Sequence, residues 1–148
     1  GDSSFYFANK MYAPSYISLE SALSFHGIIP EGVIQITSVS PRKTKIFQNA
    51  FGNFVYRSVK PELMFGYTIQ QSTLSHRWNI MIASPEKALL DFLYLNPQYN
   101  SKKDMLELRL DIDFMNDELN IDELDNYLEK FQSKILELRV AHLKEVYL

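Results

Sequence analysis

The chain has 148 residues, of which 46% are hydrophobic and 22% charged, and its formal net charge is -3. These values predict one domain, residues 1–148, that is long enough to bury a substantial core. The absence of cysteine excludes disulfides, thiolate metal sites and a cysteine nucleophile. Because the sequence has neither a long apolar run nor a basic and then apolar leader, we expect no membrane span and a cytoplasmic location.

The first predicted helix covers residues 19–26. Ser18 is placed to accept the free amides of the first turn, Gly27 can adopt the left-handed conformation that ends a helix, and Pro30 cannot continue one. Glu20 is explained by the positive end of the helix dipole. Glu20 and His26 lie on different faces of this helix, so we do not expect an acid–base dyad within it.

Five strands are predicted between the first helix and Ser84, because this region is rich in β-branched and aromatic residues that turn-forming pieces separate. The predicted strands are 33–39, 44–48, 54–59, 63–69 and 78–83. Their short connections favour antiparallel neighbours. Segment 54–59 carries apolar side chains on both faces, so we expect one face to lie under helices and the other to be partly covered.

The second predicted helix, residues 85–95, has a strong start signal. Ser84 is the expected N-cap, Pro85 fills the first helical position, and Glu86 lies at the positive end of the helix dipole. Apolar residues surround this segment on nearly every side, which predicts a buried central helix.

A third helix is predicted at residues 102–110, and apolar residues at intervals of three and four predict helix through most of the remaining chain. We expect either a broad apolar face packed on the sheet or a helical hairpin broken near Gln132-Ser133. A coiled coil is the weaker interpretation, because the register is short. Together the elements predict an α+β fold: a mostly antiparallel sheet of about five strands, a buried central helix and a helical C-terminal part.

Charge is unevenly distributed along the chain. Residues 1–103 carry ten Lys and Arg against six acids, whereas residues 104–148 carry five against twelve. We interpret the part from about residue 101 as an acidic helical subdomain. Its charge could orient the domain toward nucleic acid or a basic protein, and a solvated outer face is the simpler explanation.

Two segments of the sequence, with a strand between them, carry a family resemblance. The residues concerned are 15–23 (SYISLESAL), His26-Gly27, Pro30-Glu31, 36–39 (ITSV) and 84–91 (SPEKALLD). In these residues the chain resembles, over roughly residues 12–95, the C-terminal domain of the AbiEi antitoxin family of bacterial type IV toxin-antitoxin systems, which are phage-defence modules.

The resemblance implies a non-catalytic transcriptional regulator. In such a protein a winged helix binds the operon's promoter DNA, and the following domain neutralises a nucleotidyltransferase-like toxin. Because no winged helix precedes Tyr12 and the first residue is Gly1, we expect either a fragment or a protein that lacks its DNA-binding domain.

Sequence motifs for catalysis are scarce. The chain has no Gly-rich phosphate loop, no Gly-x-Ser-x-Gly elbow and no His-Glu-x-x-His pair. Its three histidines have no second His or Cys at ligand spacing. We therefore expect that the protein binds no metal and no cofactor and that it is not an enzyme. A nuclease-like, metal-dependent enzyme is the rival interpretation if Glu20, Lys87 and Asp91 converge in space.

Lys87 and Asp91 are the most suggestive charged pair, four positions apart on an otherwise apolar helix. Burying either charge alone costs on the order of several kcal/mol, so each must reach a partner or a surface slot. Two interpretations remain open: an internal ion pair, or a contact surface for toxin or nucleic acid. Glu20 and His26 are further candidates for partner binding.

A basic cluster, Arg42, Lys43 and Lys45, lies in a turn between two predicted strands, and Arg57 is placed on the neighbouring hairpin. The nearby aromatic residues are Phe47, Phe54 and Tyr56. Such a set can contact phosphates while aromatic rings stack on bases, so a nucleic-acid-binding module is a second alternative function. A charged strand edge also prevents sheets from joining, which explains the cluster equally well.

Overall fold

A computed structural model describes residues 2–30, 32–71 and 79–148. The helices are α1 Asp2–Met11, α2 Leu19–Phe25, α3 Pro85–Leu95, α4 Lys102–Glu107, α5 Ile121–Phe131 and α6 Lys134–Tyr147. The strands are β1 Tyr16–Ile17, β2 Ile36–Ser40, β3 Lys45–Asn49, β4 Gly52–Ser58, β5 Tyr67–Gln71 and β6 Asn79–Ala83. A 3-10 turn at Pro61–Leu63 and a π-helical turn at Phe114–Glu118 complete the elements.

The strands form one six-stranded sheet in the order β3-β4-β2-β1-β6-β5. The predicted α+β fold is confirmed, but the sheet is mixed. β3–β4, β2–β1 and β6–β5 pair antiparallel, whereas β4–β2 and β1–β6 pair parallel. The parallel pairs arise because the β3–β4 hairpin folds back so that β4 lies beside β2, and because the short β1 lies between β2 and β6. Connection length alone does not reveal either arrangement.

Several predicted boundaries shift in the structure. The predicted strand 63–69 begins later, at Tyr67, because the chain first makes the 3-10 turn. The predicted helix 102–110 ends at Glu107. Helix α1 and strand β1 were not predicted. Trp78, with which the fifth predicted strand begins, lies outside the described residues, as does Glu31 of the resembling segments.

Helices cover both faces of the sheet. Neighbouring residues of β4 show this, because successive side chains of a strand point to opposite faces. The Tyr56 hydroxyl donates to the carbonyl of Ala8 in α1, at 2.6 Å, whereas an Nη2 proton of Arg57 is donated to the carbonyl of Leu95 in α3, at 2.7 Å. Helix α3 is buried along most of its length, as predicted, and the Ser84 hydroxyl accepts from the amide of Lys87 as its N-cap.

The C-terminal part is a helical hairpin that breaks where the sequence predicted. Gln132 has left-handed backbone (φ 49°) and ends α5, and the Ser133 hydroxyl caps α6. The Arg139 guanidinium, in α6, donates to the carbonyl of Leu93 in α3 and to Oδ1 of Asn100. The hairpin therefore packs on the central helix. None of the helices among residues 2–30, 32–71 and 79–148 is long and apolar enough to cross a membrane.

Asn9 links α1 to the sheet. Its amide donates to the carbonyl of Met81 at 3.2 Å, and its Oδ1 accepts from the amide of Met81 at 2.7 Å. The side chain therefore takes the place of a neighbouring strand where the two-residue β1 is too short to pair with Met81.

We predict that Asn9→Ala lowers the free energy of unfolding by about 1 to 3 kcal/mol, because it leaves strand backbone groups without partners. Urea denaturation measures the change. Asn126→Ala, at an exposed position of α5, is the matched control and should shift stability by less than about 0.5 kcal/mol. Equal effects of the two substitutions would contradict the role of Asn9.

Candidate functional site

Lys87 and Asp91 form a buried ion pair in the centre of the domain. Their Nζ and Oδ1 atoms are 2.8 Å apart, and both side chains are 0% exposed. Of the two interpretations left open by the sequence, the geometry agrees with the internal pair. A side chain without accessible surface does not contact a partner in this conformation, so the prediction that these two residues form a binding surface is not supported.

Tyr16 of β1, Ser18 just after it and the backbone carbonyl of Leu63 before β5 complete the network. Lys87 Nζ donates to the Tyr16 hydroxyl and to the carbonyl of Leu63, both at 2.7 Å, in addition to Asp91. Asp91 Oδ2 accepts from the Tyr16 hydroxyl and from the Ser18 hydroxyl, both at 2.8 Å. An ammonium group has three protons to donate, and all three have acceptors here. The hydrogen-bond pattern therefore fits the ionised pair.

Aromatic rings surround the Lys87 ammonium. It lies 4.5 Å from the ring centroid of Phe65, 5.2 Å from that of Tyr16 and 5.3 Å from that of Phe131. Gly66 packs against the stem of this lysine, and a Cβ atom there would lie 2.9 Å from Lys87 Cγ. Gly66 also has a φ of +75°, so both its backbone and the close approach require glycine.

Burial shifts the pKa values of all three ionisable groups in the network. It raises the pKa of the Asp91 carboxyl and lowers the pKa of the Lys87 amine, and the attraction between the two groups opposes both shifts. Burial, followed by the charge of Asp91, raises the pKa of Tyr16. Tyr16 therefore keeps its proton and serves as a donor to Asp91 and an acceptor from Lys87.

Ser18 has a different role from the one predicted. Its hydroxyl makes no capping bond to α2 and donates to Asp91 instead. Leu19, the first residue of α2, has left-handed backbone (φ 59°), so the first turn is not a regular helical turn. The end of α2 agrees with prediction, because Gly27 has a φ of +80°.

A second polar network joins α2 to β2. The Thr37 hydroxyl donates to the carbonyl of Ser18 at 2.7 Å and accepts from the amide of Ser21 at 3.0 Å. In return, the Ser21 hydroxyl accepts from the amide of Thr37 at 2.8 Å and donates to the carbonyl of Gln35 at 3.1 Å. These side chains satisfy backbone groups where the sheet meets the helix.

His26 connects the end of α2 to the end of β6. Its Nε2 lies 2.7 Å from the carbonyl of Ala83, the residue before the N-cap of α3. Burial lowers the pKa of His26, while the Ala83 carbonyl and the Glu86 carboxylate oppose this shift. The ring therefore acts as a structural donor, and a contact of His26 with a partner stays a prediction.

Glu20 borders a cleft of about 270 Å³ between α2, α3 and the region of α4. The cleft has mainly apolar walls and a second carboxylate, that of Glu107, which the sequence analysis did not select. Only the folding of 19–25 against 107–110 places these two acids together, so no sequence signal indicated the pair. Further lining residues are Leu23, Ile29, Pro30, Leu89, Phe92, Tyr99, Leu108 and Leu110.

Lys45 of the predicted basic cluster and Arg57 lie on opposite faces of the sheet. Lys45 is paired with Tyr56 and shares the α1 face, whereas Arg57 points to the α3 face and binds the carbonyl of Leu95. Arg42, Lys43 and Lys45 are exposed beside one another in the chain. Phe54 and Tyr56 are buried, so these two rings are not accessible for stacking on bases.

The nuclease-like alternative requires Glu20 to converge with Lys87 and Asp91. Glu20 is not among the hydrogen-bond partners of Lys87 or Asp91, whose donors and acceptors are used within the buried network. In the part of the chain that the structure describes, no group of three or more His, Asp and Glu side chains could hold a metal ion.

No protein-family model and no curated protein matches the chain.

We predict that Lys87→Met and Asp91→Leu each lower the free energy of unfolding by about 3 to 5 kcal/mol, because each leaves a buried ion unpaired. The double variant should lose less than the sum of the two, but it leaves the hydroxyls of Tyr16 and Ser18 without an acceptor. Adding Tyr16→Phe and Ser18→Ala should therefore recover stability. Urea denaturation at pH 7 measures all four variants.

The exposed pair of Lys144 and Asp125, whose atoms are 2.6 Å apart, provides the control. Lys144→Met should lower stability by at most about 1 kcal/mol, because water screens an exposed pair. If Lys87→Met and Asp91→Leu had equally small effects, the ion pair would not be buried as described.

The lowered pKa of His26 predicts that the stability of the protein depends on pH. Its lowered pKa in the folded protein means that the unfolded chain binds more protons as the pH falls below about 6.5, the ordinary value for histidine. Stability from this group is thus present above pH 6.5 and lost on acidification. His26→Gln should flatten the decrease of melting temperature between pH 7.5 and 5.5, whereas His142→Gln should not. Identical slopes for both variants would contradict the assignment.

Proposed function

We propose that this domain is the toxin-neutralising part of an AbiEi-like antitoxin, which acts on a nucleotidyltransferase-like toxin by binding rather than by catalysis. The main support is that the two separate segments of the resemblance meet in space. Tyr16 and Ser18 from the first segment bind Lys87 and Asp91 from the second through side-chain hydrogen bonds of 2.7 to 2.8 Å. The resembling residues thus belong to one structural unit rather than to two unrelated short matches.

The roles of these residues favour binding over catalysis. A catalytic acid, base or nucleophile must reach a substrate within hydrogen-bond distance. Lys87, Asp91, Tyr16 and Ser18 are fully buried, and the hydrogen bonds of the two charged groups are made within the protein. Their arrangement supports a role in fixing the shape of the domain, so that its surface is available for a partner.

Among the four predicted partner-binding residues, Glu20 is the best candidate for direct contact. It borders an apolar cleft that also contains the Glu107 carboxylate. Apolar walls beside carboxylates are suited to a Lys or Arg side chain, which buries its aliphatic stem and pairs its charged end. We therefore propose that a basic side chain of the toxin binds in this cleft.

We do not propose that this sheet domain binds DNA. The resemblance places promoter recognition in a separate winged helix. Arg57 donates to the carbonyl of Leu95, and two of the three aromatic residues near the basic turn are buried. Both facts also argue against a nucleic-acid-binding site at the basic turn.

The test is coexpression with a nucleotidyltransferase-like protein encoded next to this chain. We expect the domain to restore growth of cells that the toxin arrests and to copurify with it. Glu20→Lys should weaken binding in a titration by at least about tenfold, equivalent to about 1.4 kcal/mol. Growth arrest that persists although both proteins are soluble would contradict the proposed function.

The buried network provides the matched control for this experiment. The variant with Lys87→Met, Asp91→Leu, Tyr16→Phe and Ser18→Ala should still restore growth wherever its melting curve shows a folded protein. A folded form of this variant that fails to bind would show that the network acts in recognition, and Glu20 would no longer be the leading contact.

A further inference from the structure

Strand β3 is an edge of the sheet. It pairs with β4 on one side and stands last in the strand order, so alternate residues direct backbone N–H and C=O groups away from the sheet. Lys45, Ile46, Gln48 and Asn49 are exposed, and the apolar side chain of Ile46 is 62% exposed. Within the described part of the chain, this edge is an unpaired strand with an accessible apolar residue, Ile46, at its second position.

The charge around β3 has one sign. Residues 32–61, which include β2, β3 and β4, contain five Lys and Arg and no Asp or Glu. Three of the five, Arg42, Lys43 and Lys45, lie at the start of β3 and are exposed. The opposite edge strand β5, Tyr67–Gln71, contains no charged residue. The two edges therefore differ strongly in the partners that they can attract.

The basic turn is held in place by Tyr12 and Ala13, which directly follow α1. The Arg42 guanidinium lies 4.0 Å from the ring centroid of Tyr12 and donates from Nη1 to the carbonyl of Ala13 at 3.2 Å. The Tyr12 hydroxyl donates to the carbonyl of Lys43 at 2.8 Å. A turn fixed by three contacts presents its charges in a defined position, which reduces the entropy lost when a partner binds.

We infer that β3 is a docking site for an extended acidic segment of a partner protein, which adds to the sheet as a seventh strand. Backbone hydrogen bonds to β3 supply the pairing, and the basic turn selects the charge. The side chains of β3 alternate between faces, so a segment that alternates acidic and apolar residues fits: its acids lie beside Lys45 and its apolar residues beside Ile46.

The same charges disfavour parallel pairing of this edge with another copy of itself. Two β3 edges paired in parallel would bring the two basic turns together, and like charges placed opposite each other are destabilising. A strand of opposite charge meets no such repulsion. The protective role of a charged edge and its selectivity for an acidic strand are therefore two consequences of one feature.

The experiment uses the whole chain and a short synthetic peptide that alternates Glu and Val. Amide hydrogen exchange and NMR titration should show binding with protection concentrated in residues 45–49. The double variant Lys43→Glu with Lys45→Glu should bind the peptide at least about tenfold more weakly. Lys103→Glu with Lys134→Glu, which makes the same charge change at exposed positions of α4 and α6, should leave binding unchanged.

Two further probes separate strand addition from plain charge attraction. A peptide with N-methylated backbone amides should lose binding to the unmodified protein, and a peptide with Lys in place of Glu should not bind. The inference is overturned if the N-methylated peptide binds equally well, if protection lies elsewhere, if no peptide binds, or if a single-stranded oligonucleotide binds this edge more tightly than the acidic peptide. These tests do not depend on the toxin, so they stand or fall separately from the proposed function.

Discussion

The arrangement of the domain depends on the burial of one charged pair, Lys87 and Asp91. Taking two ions out of water costs several kcal/mol per ion, on the order expected for protein interiors, and their attraction offsets this only when other hydrogen bonds are also made. Those bonds come from Tyr16 in β1, Ser18 before α2 and the carbonyl of Leu63. Segments distant in sequence must therefore take fixed positions around α3. Phe131 of α5 packs near the same ammonium, so the C-terminal hairpin is tied to this centre as well.

We expect such a network to contribute more to the choice of one structure than to stability. Apolar residues of similar volume often replace a buried ion pair without loss of stability, but they do not require particular partners. Here each charged group specifies which strand and which turn it meets. The glycine at position 66 extends this specificity to the backbone, because a side chain there would collide with Lys87. These polar residues thus define the interior of the domain.

The surface is divided by charge. The basic edge at β3 lies at the end of the sheet opposite β5, whereas the helices from α4 onward carry most of the acidic residues. A domain with two such regions can select partners of opposite character at separate places, since charge complementarity acts mainly on specificity and association rate. The cleft with Glu20 and Glu107 is suited to a basic group, and the β3 edge is suited to an acidic strand.

The sequence by itself determined the Ser84 cap, the buried helix that follows and the glycine that ends α2, because short-range capping and apolar spacing decide these local features. The break at Gln132-Ser133 was one of two alternatives that the sequence left open. The sequence also showed that Lys87 and Asp91 need partners, since an apolar helix gives isolated charges no solvation. Only the tertiary structure decided that those partners are Tyr16 and Ser18, that β4 lies parallel to β2, and that Arg57 turns away from Lys45. These facts depend on contacts between residues far apart in the chain, and strand order and sheet face follow from packing the whole domain rather than from any local pattern.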